Sequence, residues 1–149
     1  MEQASRNPAL ERLEALVGKW SVEAVPSGGP AWPGEAWTTF EWLKGRNFLV
    51  ERSTVEMPEA PDGVMIIGPG DEPDTFRQYY FDSRGVHRIY EMTLSDRVWK
   101  LWRDASDPFP QRFTGTFSDD GMTIAGRWEK AEDGTNWETD FDLTFRQSS

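Results

Sequence analysis

The sequence predicts an all-β protein: a single closed antiparallel barrel of about ten strands behind a short N-terminal helix. Three observations predict it. From Lys19 onward, short runs alternate apolar and polar residues and are separated by turn residues. All ten prolines fall outside those runs, where no ladder hydrogen bond is lost. Eight tryptophans, nine phenylalanines and three tyrosines in 149 residues favour strands around a broad apolar interior.

The helix is expected at about residues 8–17. Asn7 is a good N-cap and Pro8 suits the first helical position. Leu10, Leu13, Leu16 and Val17 then form one apolar stripe, and Gly18 supplies the stop. Strands are expected at about 19–25, 35–43, 46–55, 63–67, 75–82, 86–94, 97–104, 111–118, 121–129 and 137–146. Turn chemistry joins them at Lys44-Gly45, Ser83-Arg84-Gly85, Ser95-Asp96, Ser118-Asp119-Asp120-Gly121 and Glu132-Asp133-Gly134. A meander of this length removes its exposed edges by closing. No repeat or interdomain linker interrupts it, so residues 1–149 read as one domain with the barrel over about 19–146. Longer loops are expected at Pro26–Gly34, Glu56–Asp62, Gly68–Asp74 and Ala105–Pro110. The first carries Trp32 and suits either a flap over the barrel mouth or an ordinary loop with one docked ring.

Hairpin register assigns faces. A two-residue Ser95-Asp96 turn sets Leu94 opposite Arg97, Met92 opposite Trp99, Tyr90 opposite Leu101 and Arg88 opposite Arg103. A three-residue Ser83-Arg84-Gly85 loop sets Asp82 opposite Val86, Tyr80 opposite Arg88 and Gln78 opposite Tyr90. The face holding Phe76, Gln78, Tyr80, Val86, Arg88, Tyr90, Met92, Leu94, Trp99, Leu101 and Arg103 is the more apolar and is assigned to the interior. Its opposite carries His87 outward. From the C-terminal strands, Phe113, Phe117, Met122, Ile124, Trp128, Trp137, Phe141, Leu143 and Phe145 are expected to face inward. Gly115 and Gly126, within those strands, mark sharp bends or close packing. In strands 35–43 and 46–55 both faces hold rings and charges, which leaves Glu41, Glu51 and Arg52 unassigned.

Composition narrows the chemistry. With no cysteine there is no disulfide, thiolate metal site or Cys nucleophile. One histidine, His87, cannot build a multi-histidine centre, so no metal and no cofactor are expected. The formal net charge of −10 repels nucleic-acid phosphates and anionic lipid, so neither nucleic acid nor membrane is an expected partner. Met1–Arg6 lead into no signal-type apolar stretch, and no run approaches the roughly 18 apolar residues of a spanning helix. A cytoplasmic location is the expectation. Asp119-Asp120-Gly121 and Asp133-Gly134 read as turns rather than calcium loops, and Asp71-Glu72-x-Asp74 as a solvated acidic loop.

Leu13-x-x-Leu16-x-Gly18-x-Trp20 resembles the opening signature of calycin (lipocalin-like) barrels, in which Gly-x-Trp follows a short helix. The segments Phe40–Ser53, Tyr79–Glu91 and Gln111–Glu129 resemble an uncharacterised bacterial domain of unknown function common in actinobacteria. This resemblance spans nearly the whole chain and implies the fold, with no activity attached. Nitrobindin, a related barrel, holds haem through a histidine on a late strand. This chain has none after His87, so its similarity to nitrobindin implies the shape without the haem.

The candidate ligand-binding residues are Tyr80, Arg88, Tyr90 and Arg103, with Gln78 and Trp99 beside them. A guanidinium inside an apolar barrel needs a partner, and two near phenol hydroxyls suit a carboxylate. The structural alternative pairs Arg88 and Arg103 with buried carboxylates such as Glu41 or Glu51. The expected function is therefore binding of a small hydrophobic or amphipathic molecule with an acidic group. A cofactor-free isomerase or cyclase using the same cavity is a second hypothesis, and no residue is assigned to catalysis because no carboxylate pair or base is defined. A structural or interaction domain whose barrel is filled by its own rings is the third. A homodimer is compatible with all three.

Overall fold

A computed structural model describes residues 7–104 and 109–148, and the expected loop at Ala105–Pro110 and the Met1–Arg6 segment lie partly or wholly outside them. Pro8–Leu16 form a 3₁₀ helix whose N-cap, Asn7, accepts from the Ala9 backbone N–H at 3.0 Å. Leu10, Leu13 and Leu16 recur every third residue, which is the period of a 3₁₀ turn, and all three are fully buried. Val17, expected to continue the stripe, is instead the C-cap, and Gly18 opens the first strand at φ +129°.

The ten strands are β1 (Gly18–Pro26), β2 (Ala36–Trp42), β3 (Leu49–Val55), β4 (Gly63–Pro69), β5 (Phe76–Asp82), β6 (His87–Ser95), β7 (Val98–Arg103), β8 (Gln111–Phe117), β9 (Thr123–Lys130) and β10 (Glu138–Gln147). Each pairs antiparallel with its neighbours in sequence, and β1 pairs with β10 to close the barrel. Every strand except the first and last thus runs between two hairpins, and the loops alternate between two ends. The helix caps one end, tied there by the Trp42 indole donating to Glu14 at 2.8 Å and by the Arg12–Asp74 ion pair at 3.3 Å. The loops after β1, β3, β5 and β9 frame the other end, the mouth.

Three expectations need correction. The β6–β7 turn is Asp96-Arg97, not Ser95-Asp96: both residues have positive φ (53° and 63°), the twist that suits a two-residue hairpin. Leu94 therefore faces Trp99, and Met92 faces Leu101. The offset is two residues, so every side chain keeps its expected face. Met122 and Trp137 are not part of the inner wall; both are exposed. A bulge between Thr139 and Phe141 supplies the reason for Trp137, because one extra residue reverses the alternation. Its ring lies outside under the Arg112 guanidinium at 4.1 Å. Finally, Pro26 and Pro69 lie within the last residues of β1 and β4 rather than beyond them. Pairing at strand ends tolerates the missing donor.

The helix end of the barrel is solid. Leu10, Leu13, Leu16, Trp20, Phe40, Leu94 and Phe117 pack into one buried cluster, and the Trp20 indole donates to the Leu16 carbonyl at 2.8 Å. Farther along, Gly115 and Gly126 face each other across β8 and β9 and leave a slot for the Phe113 ring. A Cβ on Gly126 would sit 2.5 Å from that ring. Gly126→Ala is expected to destabilise by about 2 kcal/mol, as over-packing does in a filled core. Chemical denaturation of the variant measures it, and an unchanged midpoint would show that the ring has room to move.

Candidate functional site

Toward the mouth the packed rings give way to a cavity, part of an open pocket of about 1170 Å³ that also takes in the outer-face residues Lys19, Ser21 and Trp37 of β1 and β2. Phe113, Trp128, Phe145 and Leu143 form its apolar wall, while Gln78, Tyr80, Arg88, Tyr90, Gln111 and Glu51 bring polar groups to it. Trp32, from the loop after β1, sits at the mouth with its ring 5.4 Å from that of Phe141 and its backbone N–H bonded to the Ala24 carbonyl at 2.9 Å.

Arg88, Tyr90 and Arg103 come together on one atom. The Arg88 Nη1, the Tyr90 hydroxyl and the Arg103 Nε all donate to Gln111 Oε1, at 3.1, 3.0 and 3.0 Å. Register explains the meeting: Arg103 and Gln111 are cross-strand partners on β7 and β8, and Arg88 and Tyr90 lie two apart on β6. An amide oxygen has two lone pairs, so three donors, two of them cationic, oversubscribe it. Arg103 also donates to the Phe109 carbonyl at 3.1 Å. Arg88 donates to Gln111 and also lies against the Tyr90 hydroxyl. The partner shared by the two arginines is thus a neutral amide, not Glu41 or Glu51. Glu41 lies exposed on the outer face.

Tyr80 turns to a different partner. Its hydroxyl donates to Asp82 Oδ2 at 2.6 Å, and Arg84 holds the same oxygen at 2.6 Å. The Arg84 guanidinium keeps the Asp82 carboxyl well below its ordinary range. Burial, then the hydrogen bond to Asp82, pushes the Tyr80 phenol well above its own. Tyr90 is raised too, by burial, against the opposing pull of the guanidiniums.

Glu51 is the unassigned carboxylate that turns inward, only 4% exposed. Burial raises its pKa from 4.5 to about 7. The geometry around it agrees. Thr38 Oγ1 lies 3.0 Å from Glu51 Oε2 and 3.1 Å from the Arg52 carbonyl, yet a hydroxyl has one proton to give. A protonated Glu51 completes the chain: its O–H donates to Thr38, whose O–H donates to the carbonyl.

Gln78 and Trp99 line the same cavity without joining either group. Trp99 packs edge-on against Phe40 and Phe113, with ring centroids 6.1 and 5.0 Å away. Gln111, Thr38 and Asp82 are polar neighbours of these residues that sequence reasoning missed, while Glu51 entered it only as a possible partner of the arginines. For Gln111 a signal existed: it shares parity with Phe113 and Phe117, which were expected inside. His87 is on the outer face, and among the described residues no three His, Asp or Glu side chains are grouped to hold a metal.

The sequence matches no protein-family model and no curated protein. By structure the chain is similar to Rv2717c from M. tuberculosis, with a TM-score of 0.67 and 12% identity over 97% of this chain and 100% of that one. A redesigned β-barrel aligns over 99% of this chain and 100% of its own at a TM-score of 0.49 and 10% identity. Identity of 12% shows the fold alone. The fold and site together define a closed ten-stranded antiparallel β-barrel, solid at its helix-capped end and hollow toward its mouth.

Proposed function

We propose that this barrel is a small-molecule binder that holds an amphipathic ligand in its cavity, with the ligand's acidic group at Arg88, Tyr90 and Arg103. One observation carries the proposal: two guanidiniums and a phenol converge on a single neutral oxygen, that of Gln111, which lines the cavity together with Arg88 and Tyr90 while Arg103 is buried behind them. A carboxylate offers two charged oxygens where Gln111 offers one neutral oxygen, and charge-assisted bonds of this kind are roughly twice as strong as neutral ones. The apolar wall of Phe113, Trp128 and Leu143 suits the hydrocarbon part. Such a barrel fits the calycin-like resemblance, although the likeness to Rv2717c reaches only the fold.

Titration with a fluorescent fatty-acid probe, read through energy transfer from the tryptophans, tests it. Saturable binding is expected in the wild type, weakened at least about tenfold in Arg88→Ala, a loss of about 1.4 kcal/mol. No saturable binding, or equal binding by the variant, would sink the proposal.

A further inference from the structure

Glu51 is buried beside residues that carry no charge. Its cross-strand partners are Phe40 on β2 and Met65 on β4, and Thr38 lies two residues before Phe40. Thr38 occupies one carboxyl oxygen, Oε2. The other, Oε1, has no hydrogen-bond partner among the described residues. The side-chain atoms there that are both buried and unpartnered are Gln78 Oε1 and Trp99 Nε1. Glu51 Oε1 is not one of them, so it keeps accessible surface, and that surface opens on the cavity that Glu51 and Thr38 both line. With the proton on Oε2 and given to Thr38, Oε1 is an acceptor facing whatever the cavity holds.

We propose that Glu51 and Thr38 form a second polar subsite, which takes the protonated amine of a ligand. This rests on the reading of the cavity as a ligand site, and not on the acid dock at Arg88. An amide at position 51 would offer a neutral donor the same oxygen without the cost of a buried acid. What the carboxyl adds is the ability to give up its proton and become an anion. The group that gains most from a buried anion is a cation with N–H bonds to donate. Thr38 fits the ionised state as well, because its hydroxyl can turn to donate to Oε2. The guanidiniums that line the cavity stand away from this corner. Arg84 is held by Asp82 at 2.6 Å. Arg88 lies on the same cross-strand row as Glu51, beyond Met65 and Tyr80, about 14 Å along the wall at the usual strand spacing. Burial and the Thr38 hydroxyl are what act on the Glu51 carboxyl, with no charged side chain beside them. A ligand that carries both an amine and an acidic group can therefore meet the two subsites at once.

Calorimetric titration of the full chain with dodecylamine at pH 6, in two buffers of different ionisation enthalpy, tests this. A neutral Glu51 must ionise to pair with the amine, so close to one proton per bound amine is expected to pass to the buffer. Ordinary surface carboxylates are already ionised at this pH, so amine held on the acidic exterior releases none. Glu51→Gln is expected to weaken binding at least about tenfold and to abolish the release. A thermal melt of the variant at the same pH checks its fold, and the proton count in the wild type does not depend on the variant. Saturable binding without proton release overturns the subsite. Equal affinity in Glu51→Gln overturns it, and so does an unchanged release there, since the amine then sheds its own proton. Absence of saturable amine binding overturns it too. The acid dock stands or falls separately, on the binding of dodecanoic acid and its loss in Arg88→Ala.

Discussion

Glu51→Gln is expected to stabilise the protein by about 3 kcal/mol at pH 8 and to leave its stability near pH 4 almost unchanged. A carboxyl raised from 4.5 to about 7 by burial holds its proton more tightly in the folded state than in the unfolded one. Between those two values the native state binds more protons, so stability falls as pH rises. The loss is complete above about pH 7, and the full difference of about 3 kcal/mol is an order-of-magnitude figure. Glutamine has the shape of the protonated acid, can donate to Thr38, and does not ionise. Asp82 contributes in the opposite sense: its lowered pKa adds stability above the ordinary carboxylate range and loses it in acid, identically in both proteins. The difference between two urea-melt series from pH 4 to pH 9 isolates Glu51. A variant less stable than wild type at pH 8 would show instead that the native carboxylate is ionised and paired. A residue whose removal stabilises the fold is also a natural place to look for a ligand contact or proton transfer, since stability is commonly traded for function at such positions.

Gln111→Glu should have the second large effect, and it separates binding from folding. The new carboxylate would stand where Arg88, Tyr90 and Arg103 already point, at 3.0–3.1 Å. Charge-assisted bonds replace neutral ones, and the thermal midpoint should rise, by about 1 kcal/mol of added stability or more at neutral pH. The resident anion should also exclude the ligand's acidic group and weaken acid binding at least about tenfold. A stabilised protein that no longer binds acids is an outcome that simple damage to the fold cannot produce. A destabilised variant would mean that burial of the added charge outweighs its pairing, contrary to the excess of donors described here.

The barrel was legible because its signals are local and repeated. Turn pairs, prolines at strand ends and alternation all point to one meander, and errors in a single turn did not spread. At Ser95 the predicted turn was displaced, but the offset was even, so Tyr90, Trp99 and Arg103 kept their faces. At Asp140 the opposite happened: a one-residue bulge, which no residue type announces, turned Trp137 outward. The site was half legible. Parity alone placed Arg88, Tyr90 and Arg103 on one face. Their common acceptor lies across a loop of unread length, so its register with β7 could not be set in advance. Glu51 was ambiguous for a physical reason, since its neighbours Val50 and Arg52 offer an equally mixed alternative face, and Val50 is itself buried.

A matched pair of ligands tests the central claim most directly: dodecanoic acid against dodecanol, titrated calorimetrically into the wild type and into Gln111→Glu at neutral pH. The two share a chain and differ in the group that would meet the arginines. The acid is expected to bind the wild type at least about tenfold tighter than the alcohol, and to lose that advantage in the variant while the alcohol changes little. Equal affinity of acid and alcohol for the wild type would contradict the account, and would leave Arg88 and Arg103 as structural partners of Gln111.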